Sequence, residues 1–373
     1  MSSIKTTVKE RMKKFRRFYY VYREWRKLQE NRKKLWEEAV GKFEEECPNH
    51  GSLADYKRAL YRNRVSYEEY MKCYEFWRLD ENHRDEFISE MEMRCIYRKT
   101  VQVSFDRLCS NKVLLYKQFE KYVHRKWHYS GSMSLETFQD FVSFSDCIGK
   151  PISGTLGRGV FMIWKGEERN WQELFDYCRE NSIIVEERVR ACKEMEEFHP
   201  QSLNTIRVFT ISKNNRCELV AAIFRMGVAD HVVDNGAAGG ILALIDLNTG
   251  VVTGEGRDES GHSYLLHPDS GKSIKGFAIP HWDIVVKVCK EMANSFEEIV
   301  FAGWDICVLP DGNVEMIEVN SYPSITVLQT AAKTGLKSRL RVVGKEVLGY
   351  DPLKLISVWS RSHVKYESVY GRY

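Results

Sequence analysis

Three oxygen-bearing side chains, Asp305, Glu318 and Asn320, are spaced to meet on one face of a β-hairpin. They lie in the segment GWDICVLPDGNVEMIEVNSYPS, residues 303–324, where two alternating apolar runs flank an Asp-Gly dipeptide, a strong two-residue turn signal. With that dipeptide as the loop, Asp305 pairs directly with Glu318. Asn320 follows on the same face, because side chains alternate along a strand with a period of two. The spacing therefore predicts that all three side chains converge.

Two directly opposed carboxylates repel each other unless a cation neutralises them. Carboxylate and amide oxygens suit a hard divalent ion, and Mg²⁺ keeps further positions for water and phosphate oxygens. We therefore expect Asp305, Glu318 and Asn320 to be metal ligands. Two alternatives stay open on the sequence alone: an acidic pair that simply faces solvent, or a register shifted by one residue, which would separate the three side chains.

A glycine-rich stretch supplies a second candidate site, this one for phosphate. In CIGKPISGTLGRGVFMI, residues 147–163, Lys150 ends a short strand and a loop follows. Such a loop lets backbone N–H groups approach phosphate oxygens, and a nearby lysine or arginine adds charge. A tight glycine hairpin without a ligand is the alternative. The residues expected to act in this loop are Gly154, Gly157, Arg158 and Gly159.

Other phosphate-binding motifs are absent from the sequence. There is no GxxxxGK[ST] segment and no GxGxxG between a strand and a helix. His83-Arg84-Asp85 matches the first residues of a protein-kinase catalytic loop, but no Asn lies five residues after the Asp and no DFG follows. We therefore interpret this tripeptide as a helical surface cluster.

The elements that must position these residues change in character near residue 100. Residues 1–100 are rich in Glu, Lys, Arg and aromatic residues and are predicted to be helical. Later helices are predicted at 111–126, 167–180 and 282–298. The predicted strands are VQVSF, FVSF, GVFMIW, SIIVEERV, IRVFTI, LVAAIFRMGV, ILALIDL, IVFAGWDICVL and VEMIEVN. The mixture indicates an α+β protein with a helical N-terminal region.

The first 35 residues are strongly basic, with 13 Lys or Arg against three acids, whereas the whole chain has a net charge of only +4. Aromatic residues recur there at helical spacing, so a helix would carry an apolar stripe with basic flanks. One interpretation is a helix packed on the rest of the protein. Another is a surface that meets an anionic membrane or an acidic glycan. Nucleic acid is not expected as a partner, because no binding module accompanies the charge.

Composition indicates a globular protein of one large or two to three ordinary domains, with 373 residues and 43% hydrophobic residues. The ten cysteines form no CxxC pair, which favours reduced thiols over disulfides or a zinc site. No secretory signal and no run of about 20 apolar residues is present. We therefore expect a cytoplasmic protein, either free or peripheral to the inner face of the membrane.

The order of these motifs, with the glycine loop first and the acidic hairpin last, resembles the ATP-grasp superfamily of ligases. HPQSLNTIRVFT at 199–210, FRMG at 224–227, VDNGAAGG at 233–240 and the hairpin segment are most similar to the sugar-transfer-associated ATP-grasp family. The resemblance implies two α+β subdomains that clasp ATP. We expect a helical region at 1–100, a small subdomain at 101–190 with the glycine loop, and a large subdomain at 191–373 with the metal-binding hairpin.

The resemblance also implies roles for individual positions. Asp305, Glu318 and Asn320 match the superfamily's Mg²⁺ ligands. Arg207 and Arg225 are candidates for contact with the transferring phosphate and the acyl intermediate. The cofactor-binding positions implied for ATP are Lys112 and Lys150 for phosphate, the loop residues Gly154, Gly157, Arg158 and Gly159, the adenine segment 184–189 with Glu186 or Glu187 at the hinge and Val189 at its end, and either Glu194 or Glu196 for the ribose.

The activity implied is an ATP- and Mg²⁺-dependent ligase that joins a carboxylate to an amine through an acyl phosphate. The family name adds polysaccharide or glycoconjugate biosynthesis, with an amino acid and a uronic acid as one plausible substrate pair. Two alternatives stay open: a peptide or small-metabolite ligase, and a nucleotide-binding accessory protein that docks on a membrane glycosyltransferase complex through its basic N-terminal helix.

Overall fold

Two antiparallel β-sheets, drawn from successive stretches of the chain, form the framework in a computed structural model of the protein. The structure describes residues 30, 33–34, 36–42, 52–154, 158–229 and 239–356. Gly157, nearly all of the basic segment 1–35 and most of the VDNGAAGG motif therefore lie outside the described residues.

The described part of the N-terminal region is helical, as predicted. Ser52 caps the first helix by accepting a hydrogen bond from the Asp55 amide, and Ser89 and Glu92 form a reciprocal capping box at the third. A π-helical turn, Glu69–Cys73, and a 3-10 turn, Phe76–Arg78, lie between them. The helices are α1 (Leu53–Asn63), α2 (Glu81–Asp85), α3 (Glu90–Thr100), α4 (Val103–Cys109) and α5 (Lys112–Gln118).

The smaller sheet has four strands in the order β1-β4-β2-β3, and all its pairings are antiparallel. Two helices pack on it through an apolar cluster that includes Phe138, Val142, Phe175 and Cys178. The elements are β1 (Trp127–Tyr129), α6 (Leu135–Phe144), β2 (Cys147–Pro151), β3 (Phe161–Ile163), α7 (Trp171–Glu180) and β4 (Ile183–Glu187).

The larger sheet has seven antiparallel strands in the order β11-β10-β5-β6-β7-β8-β9. One apolar cluster on it includes residues of α4, α5 and α9, and a second includes residues of α3, α10 and α11. Its elements are α8 (Lys193–Glu196), β5 (Thr205–Lys213), β6 (Arg216–Met226), β7 (Ile241–Ile245), β8 (Gly256–Arg257), β9 (Ser263–Tyr264), α9 (Trp282–Asn294), β10 (Phe301–Val308), β11 (Val314–Asn320), α10 (Ile325–Ala332) and α11 (Lys337–Leu348).

Two of the predicted strands are wrong. VQVSF begins α4, where Phe105 and Leu108 are three residues apart and enter the core together, and FVSF ends α6, where Phe138 and Val142 are four apart. A short apolar run can be buried in a helix or in a strand. Which of the two forms is indicated by the spacing between that run and the apolar residues before and after it. The predicted helices are also too long, because residues 123–126, 167–170 and 295–298 are not helical.

Candidate active site

The acidic hairpin has a three-residue loop, so the predicted two-residue turn is wrong. Leu309 and Asn313 close the loop, with the Asn313 carbonyl accepting from the Leu309 amide at 2.8 Å, and Gly312 has a φ of 84°. This shifts the pairing next to the turn by one residue. A register irregularity between Asp305 and Ile306 then restores the predicted register, so Asp305 still pairs with Glu318.

Charged side chains form a row across three neighbouring strands. Glu318 on β11 pairs with Asp305 on β10, and Asp305 pairs with Arg207 on β5. The Arg207 guanidinium donates two hydrogen bonds of 2.7 Å to the Asp305 carboxylate, and Arg225 Nη2 lies 3.3 Å from Asp305 Oδ2. Burial raises the pKa of Asp305, but Arg207 and Arg225 more than offset it and hold that pKa below its ordinary value.

The other two predicted metal ligands carry fewer contacts. Within the described part of the chain, no hydrogen bond or ion pair engages the Glu318 carboxylate, and the buried Asn320 Nδ2 has no hydrogen-bond partner. The Nδ2 group is a donor and cannot bind a cation, but the amide oxygen of Asn320 and the carboxylate oxygens of Glu318 are the type of ligand that a hard ion takes. Asp305 retains lone pairs beyond those that face Arg207. The three side chains therefore suit Mg²⁺ chemically.

Two lysines lie near this row. Lys112 Nζ donates to the carbonyl of Gly154 at 3.4 Å, which places it at the entrance of the glycine loop. Burial lowers the pKa of Lys112 and the charge of Lys150 adds to this, while Glu318 and Glu186 oppose it. Both acids thus act on the Lys112 ammonium electrostatically. The structure brings together the lysines and the acid of the hairpin, although they are far apart in the sequence.

In the glycine loop, Arg158 and Gly159 are exposed, and Gly159 has a φ of 74°, a conformation that favours glycine. Gly154 stands at its first edge, and Gly157 lies outside the described residues. The loop connects β2 and β3 at the edge of the smaller sheet. Its exposure is compatible with contact to a phosphate.

Several residues of the segment predicted to bind adenine are already engaged in contacts within the protein. Glu186 is buried within β4 and forms ion pairs with Lys150 and Arg125, and Tyr116 donates to it at 3.0 Å. The Glu187 amide donates to the Lys126 carbonyl at 2.9 Å. Arg188 likewise donates to the Asp146 carbonyl, whereas Val189 is half-buried just beyond the strand, Glu194 is exposed on α8, and Glu196 is held by Arg190.

Three residues of this region were not expected from the sequence. Arg125 bonds Glu315 and ion-pairs with Glu186, and Tyr116 contacts both Arg125 and Glu186. The sequence analysis assigned them no role; only their positions, Tyr116 and Arg125 within the predicted helix 111–126 and Glu315 within the hairpin segment, could have drawn attention to them.

The segment HPQSLN, residues 199–204, holds the beginning of β5 next to the end of β6. Asn204 donates to the carbonyls of Met195 and His199 at 2.9 and 3.2 Å, and its oxygen accepts from the Gly227 amide at 3.2 Å. A Cβ on Gly227 would lie 2.0 Å from Ser202 Oγ, so the close approach requires glycine. These residues fix the ends of β5 and β6, from which Arg207 and Arg225 project.

Within the described residues, no group of three or more His, Cys, Asp or Glu side chains is arranged to hold a metal ion. No described helix is both long and apolar enough to cross a membrane.

A profile of the sugar-transfer-associated ATP-grasp family matches residues 82–345, well over half of the chain. The chain belongs to this family. The predicted α+β ATP-grasp fold is thus confirmed, and with family membership come the ligase class and the cofactors ATP and Mg²⁺. None of the curated proteins compared matches the chain.

Three of the solved structures to which this chain is similar are ligases of low sequence identity. The ATP-grasp ligase PsnB, complexed with minimal precursor, Mg and ADP, has a TM-score of 0.41 and 11% identity over 69% of this chain and 62% of PsnB. The L-amino acid ligase from Bacillus licheniformis has a TM-score of 0.38 and 12% identity, over 67% of this chain and 47% of that ligase. For the D-alanine–D-alanine ligase from Bacillus anthracis complexed with ATP the values are 0.40 and 15%, over 67% of each chain.

Proposed function

We propose that this ATP-grasp chain joins a carboxylate to an amine in two steps. The γ-phosphoryl of ATP moves to a carboxylate oxygen of the substrate, which releases ADP and gives an acyl phosphate. The amine nitrogen then attacks the acyl carbon, phosphate leaves, and the nitrogen loses its proton. The observation that carries this proposal is the row Glu318–Asp305–Arg207, which places acids for a cation beside an arginine for an anion.

Asp305, Glu318 and Asn320 are the residues that would hold Mg²⁺. Bound there, the ion would neutralise the charge that spreads over the phosphate oxygens during transfer. Among the described residues, the Glu318 carboxylate has no hydrogen-bond or ion-pair partner, which leaves its oxygens available to an ion and supports this assignment.

Lys112 and Lys150, with Gly154, Gly157, Arg158 and Gly159, would bind the phosphates of ATP. Lys112 supports this role most directly, because its ammonium lies beside the glycine loop and within electrostatic reach of Glu318. Lys150 is ion-paired with Glu186 and would have to share its charge between that acid and a phosphate.

Arg207 and Arg225 would stabilise the negative charge of the transferring phosphoryl group and the acyl intermediate. Both are held by Asp305, and Arg225 also bonds Thr205 Oγ1 at 2.7 and 2.9 Å. Guanidinium groups fixed in this way need little reorganisation when charge develops in front of them.

For adenine we propose the backbone from Val189 onward. The Glu187 and Arg188 amides already donate to main-chain carbonyls. Because Glu186 and Glu187 also pair with neighbouring strands of the smaller sheet, most of their backbone groups are used within that sheet and not for adenine. The ribose would be bound by Glu194 or Glu196. Glu194 is exposed, whereas Glu196 would first have to release Arg190.

The substrate proposal is an amino acid joined to a uronic-acid unit of a surface glycan, and it rests on the name of the family alone. A peptide or small-metabolite ligase would use the same site. The basic residues 1–35 favour one further candidate, a nucleotide-binding accessory protein at the inner face of the membrane. In either case we place the chain in the cytoplasm.

A screen of acid and amine pairs, monitored by ADP and phosphate release with Mg²⁺, tests the proposal. We expect stoichiometric ADP and phosphate that depend on one acid and one amine together. Release of AMP instead would contradict the acyl-phosphate route. If Mg·ATP binds but no pair in a broad screen gives turnover, the accessory-protein candidate is favoured instead.

A further inference from the structure

Arg125 lies where the chain crosses from the larger core to the smaller sheet. Tyr122, at the end of the 3-10 turn Glu120–Tyr122, and Val123 belong to the apolar cluster that packs mainly on the larger sheet. Trp127, two residues after Arg125, pairs with Glu186 in the smaller sheet. The side chain of Arg125 is only 3% exposed, so its charge is held inside the protein at this crossing.

The guanidinium of Arg125 contacts both sheets. Its Nε lies 3.1 Å from Glu186 Oε2 on β4. Its Nη1 donates to the Glu315 carboxylate and, at 2.8 Å, to the carbonyl of Met316, both on β11. The ring of Tyr116 lies 4.5 Å from the guanidinium. One side chain therefore bridges the strand that carries Glu186 and the hairpin that carries the proposed metal ligands.

Four charges balance in this cluster, three of them buried and the fourth, that of Lys150, half-buried. Glu186 binds Lys150 through Oε1 and Arg125 through Oε2, and Glu315 binds Arg125 through Oε1 and the His124 amide through Oε2 at 2.7 Å. Two acids thus meet one arginine and one lysine. Burial raises the pKa of Glu186, but Arg125 and Lys150 more than offset it and keep the acid ionised.

Stability alone does not account for this arrangement. A buried ion pair contributes little net stability compared with apolar residues of the same size, because desolvation offsets the attraction. In addition, the buried Nε and Nη2 of Arg125 lack a partner in good hydrogen-bond geometry among the described residues. A function that depends on where the charges lie is a better explanation.

We propose that Arg125 is a positioning residue that sets Lys150 relative to the metal-binding hairpin. By holding Glu186 and Glu315 together, it leaves the Lys150 charge only partly neutralised and fixes the position of Lys150 relative to the hairpin. Without Arg125, Glu186 would take Lys150 as its sole cationic neighbour in the cluster, and the lysine would be drawn away from phosphate. This inference rests on the proposed function.

The test compares nucleotide fragments in the full-length protein, using Mg·ADP, ADP with a chelator, and adenosine. The variant is Arg125→Met with Glu315→Gln, because the double change removes one charge of each sign and leaves no buried unpaired acid. We expect its Kd for Mg·ADP to rise at least tenfold, while its Kd for adenosine stays within about twofold of wild type. Arg125→Lys, which keeps the charge, should restore most of the affinity.

The matched control is Arg257→Met with Glu75→Gln. It removes another pair of a buried arginine and a glutamate, here half-buried, joined at 2.7 Å outside this cluster. We expect it to bind Mg·ADP as wild type does. A folded Arg125→Met, Glu315→Gln protein with wild-type affinity for Mg·ADP would overturn the proposal, as would equal losses for adenosine and Mg·ADP. Failure of the wild-type protein itself to bind Mg·ADP would instead overturn the proposed function.

Discussion

At the residue scale, Asp305 is where the positive and negative halves of the site meet. It pairs with Glu318 on one neighbouring strand and with Arg207 on the other. Because it is 2% exposed, its charge is stabilised by arginines that water cannot replace. One acid therefore serves to hold the arginines in place and, in our proposal, to bind the cation.

Glu318→Gln should reduce turnover at least about 100-fold and change the free energy of unfolding little. The reason is that Glu318 makes no hydrogen bond or ion pair within the described part of the chain, so its loss affects the proposed ion more than the fold. The measurements are ADP release and urea unfolding. Glu346→Gln, at an exposed position of α11, is the control. Turnover within a few-fold of wild type in Glu318→Gln would remove this acid from the metal site.

At the scale of elements, the hairpin reaches its pairing through a three-residue loop and a compensating bulge. Gly312 enables the loop because its φ of 84° is costly for other residues. A Cβ there would also lie 3.1 Å from His281 Nε2. The loop therefore constrains both the hairpin and the segment before α9.

Gly312→Ala should lower the free energy of unfolding by about 1–2 kcal/mol, because alanine is strained at this φ. Gly254→Ala serves as its control, since Gly254 has no positive φ and a Cβ there would meet nothing within 4 Å. Urea denaturation of both variants gives the comparison. Equal stability for the two would mean that the loop relaxes without cost.

A second element-scale feature is the polar contact between the N-terminal helices and α10. The buried Glu69 accepts from the amides of Glu90 and Ser66 at 2.8 and 2.7 Å and from the Thr326 hydroxyl at 3.2 Å. Glu90 lies beside it, and burial together with the charge of Glu69 raises the pKa of Glu90 from 4.5 to about 7. This contact therefore contains an acid that ionises at a higher pH than an ordinary glutamate.

The raised pKa of Glu90 makes stability depend on pH. Well below pH 4.5 the acid is protonated in both states and has no effect. As pH rises towards 7 the unfolded state ionises first, so the folded state loses stability, and the loss is complete above 7. Glu90→Gln should therefore stabilise the protein by about 3 kcal/mol at pH 8 and by very little at pH 4.

Unfolding at both pH values checks this, with the exposed Glu180→Gln as a control that should show no such difference. A gain for Glu90→Gln that is the same at pH 4 and pH 8 would mean that ionisation of Glu90 is not the cause.

At the scale of the whole molecule, two short segments connect the larger core with the smaller sheet. One is 123–126, which carries Arg125, and the other runs from Arg188 to Cys192. The Cys192 amide donates to the Val308 carbonyl at 2.7 Å, and the Arg188 amide donates to Asp146 at 2.8 Å. The proposed lysines, glycine loop and metal ligands lie on both sides of these crossings.

A ligand that bridges the two sheets should stabilise the molecule as a unit. At 100 times its Kd, Mg·ADP should add about 2.7 kcal/mol to the free energy of unfolding. Removing Mg²⁺ with a chelator should abolish most of the gain, because the acids would then face the phosphates without a cation. Thermal unfolding with ADP and either Mg²⁺ or chelator measures this. Equal shifts in the two conditions would exclude a metal between protein and nucleotide.

The sequence alone determined the features that depend on local periodicity. Alternation along the hairpin predicted that Asp305, Glu318 and Asn320 share a face, and the motif order predicted the ATP-grasp fold that family membership confirms. The strands that carry Arg207 and Arg225 were predicted as well, because continuous apolar runs leave little choice of element.

Only the tertiary structure decided which distant groups touch. The pairing of Asp305 with two arginines and the Arg125 cluster depend on packing between segments 60 to 200 residues apart. The helical state of VQVSF and FVSF depends on how a short apolar run is buried. The loop length and the bulge of the hairpin were likewise visible only in the structure. Periodicity fixes the direction of a side chain from its own strand or helix. Its partner and its depth depend on how the elements pack, and a single sequence does not encode that packing in any local pattern.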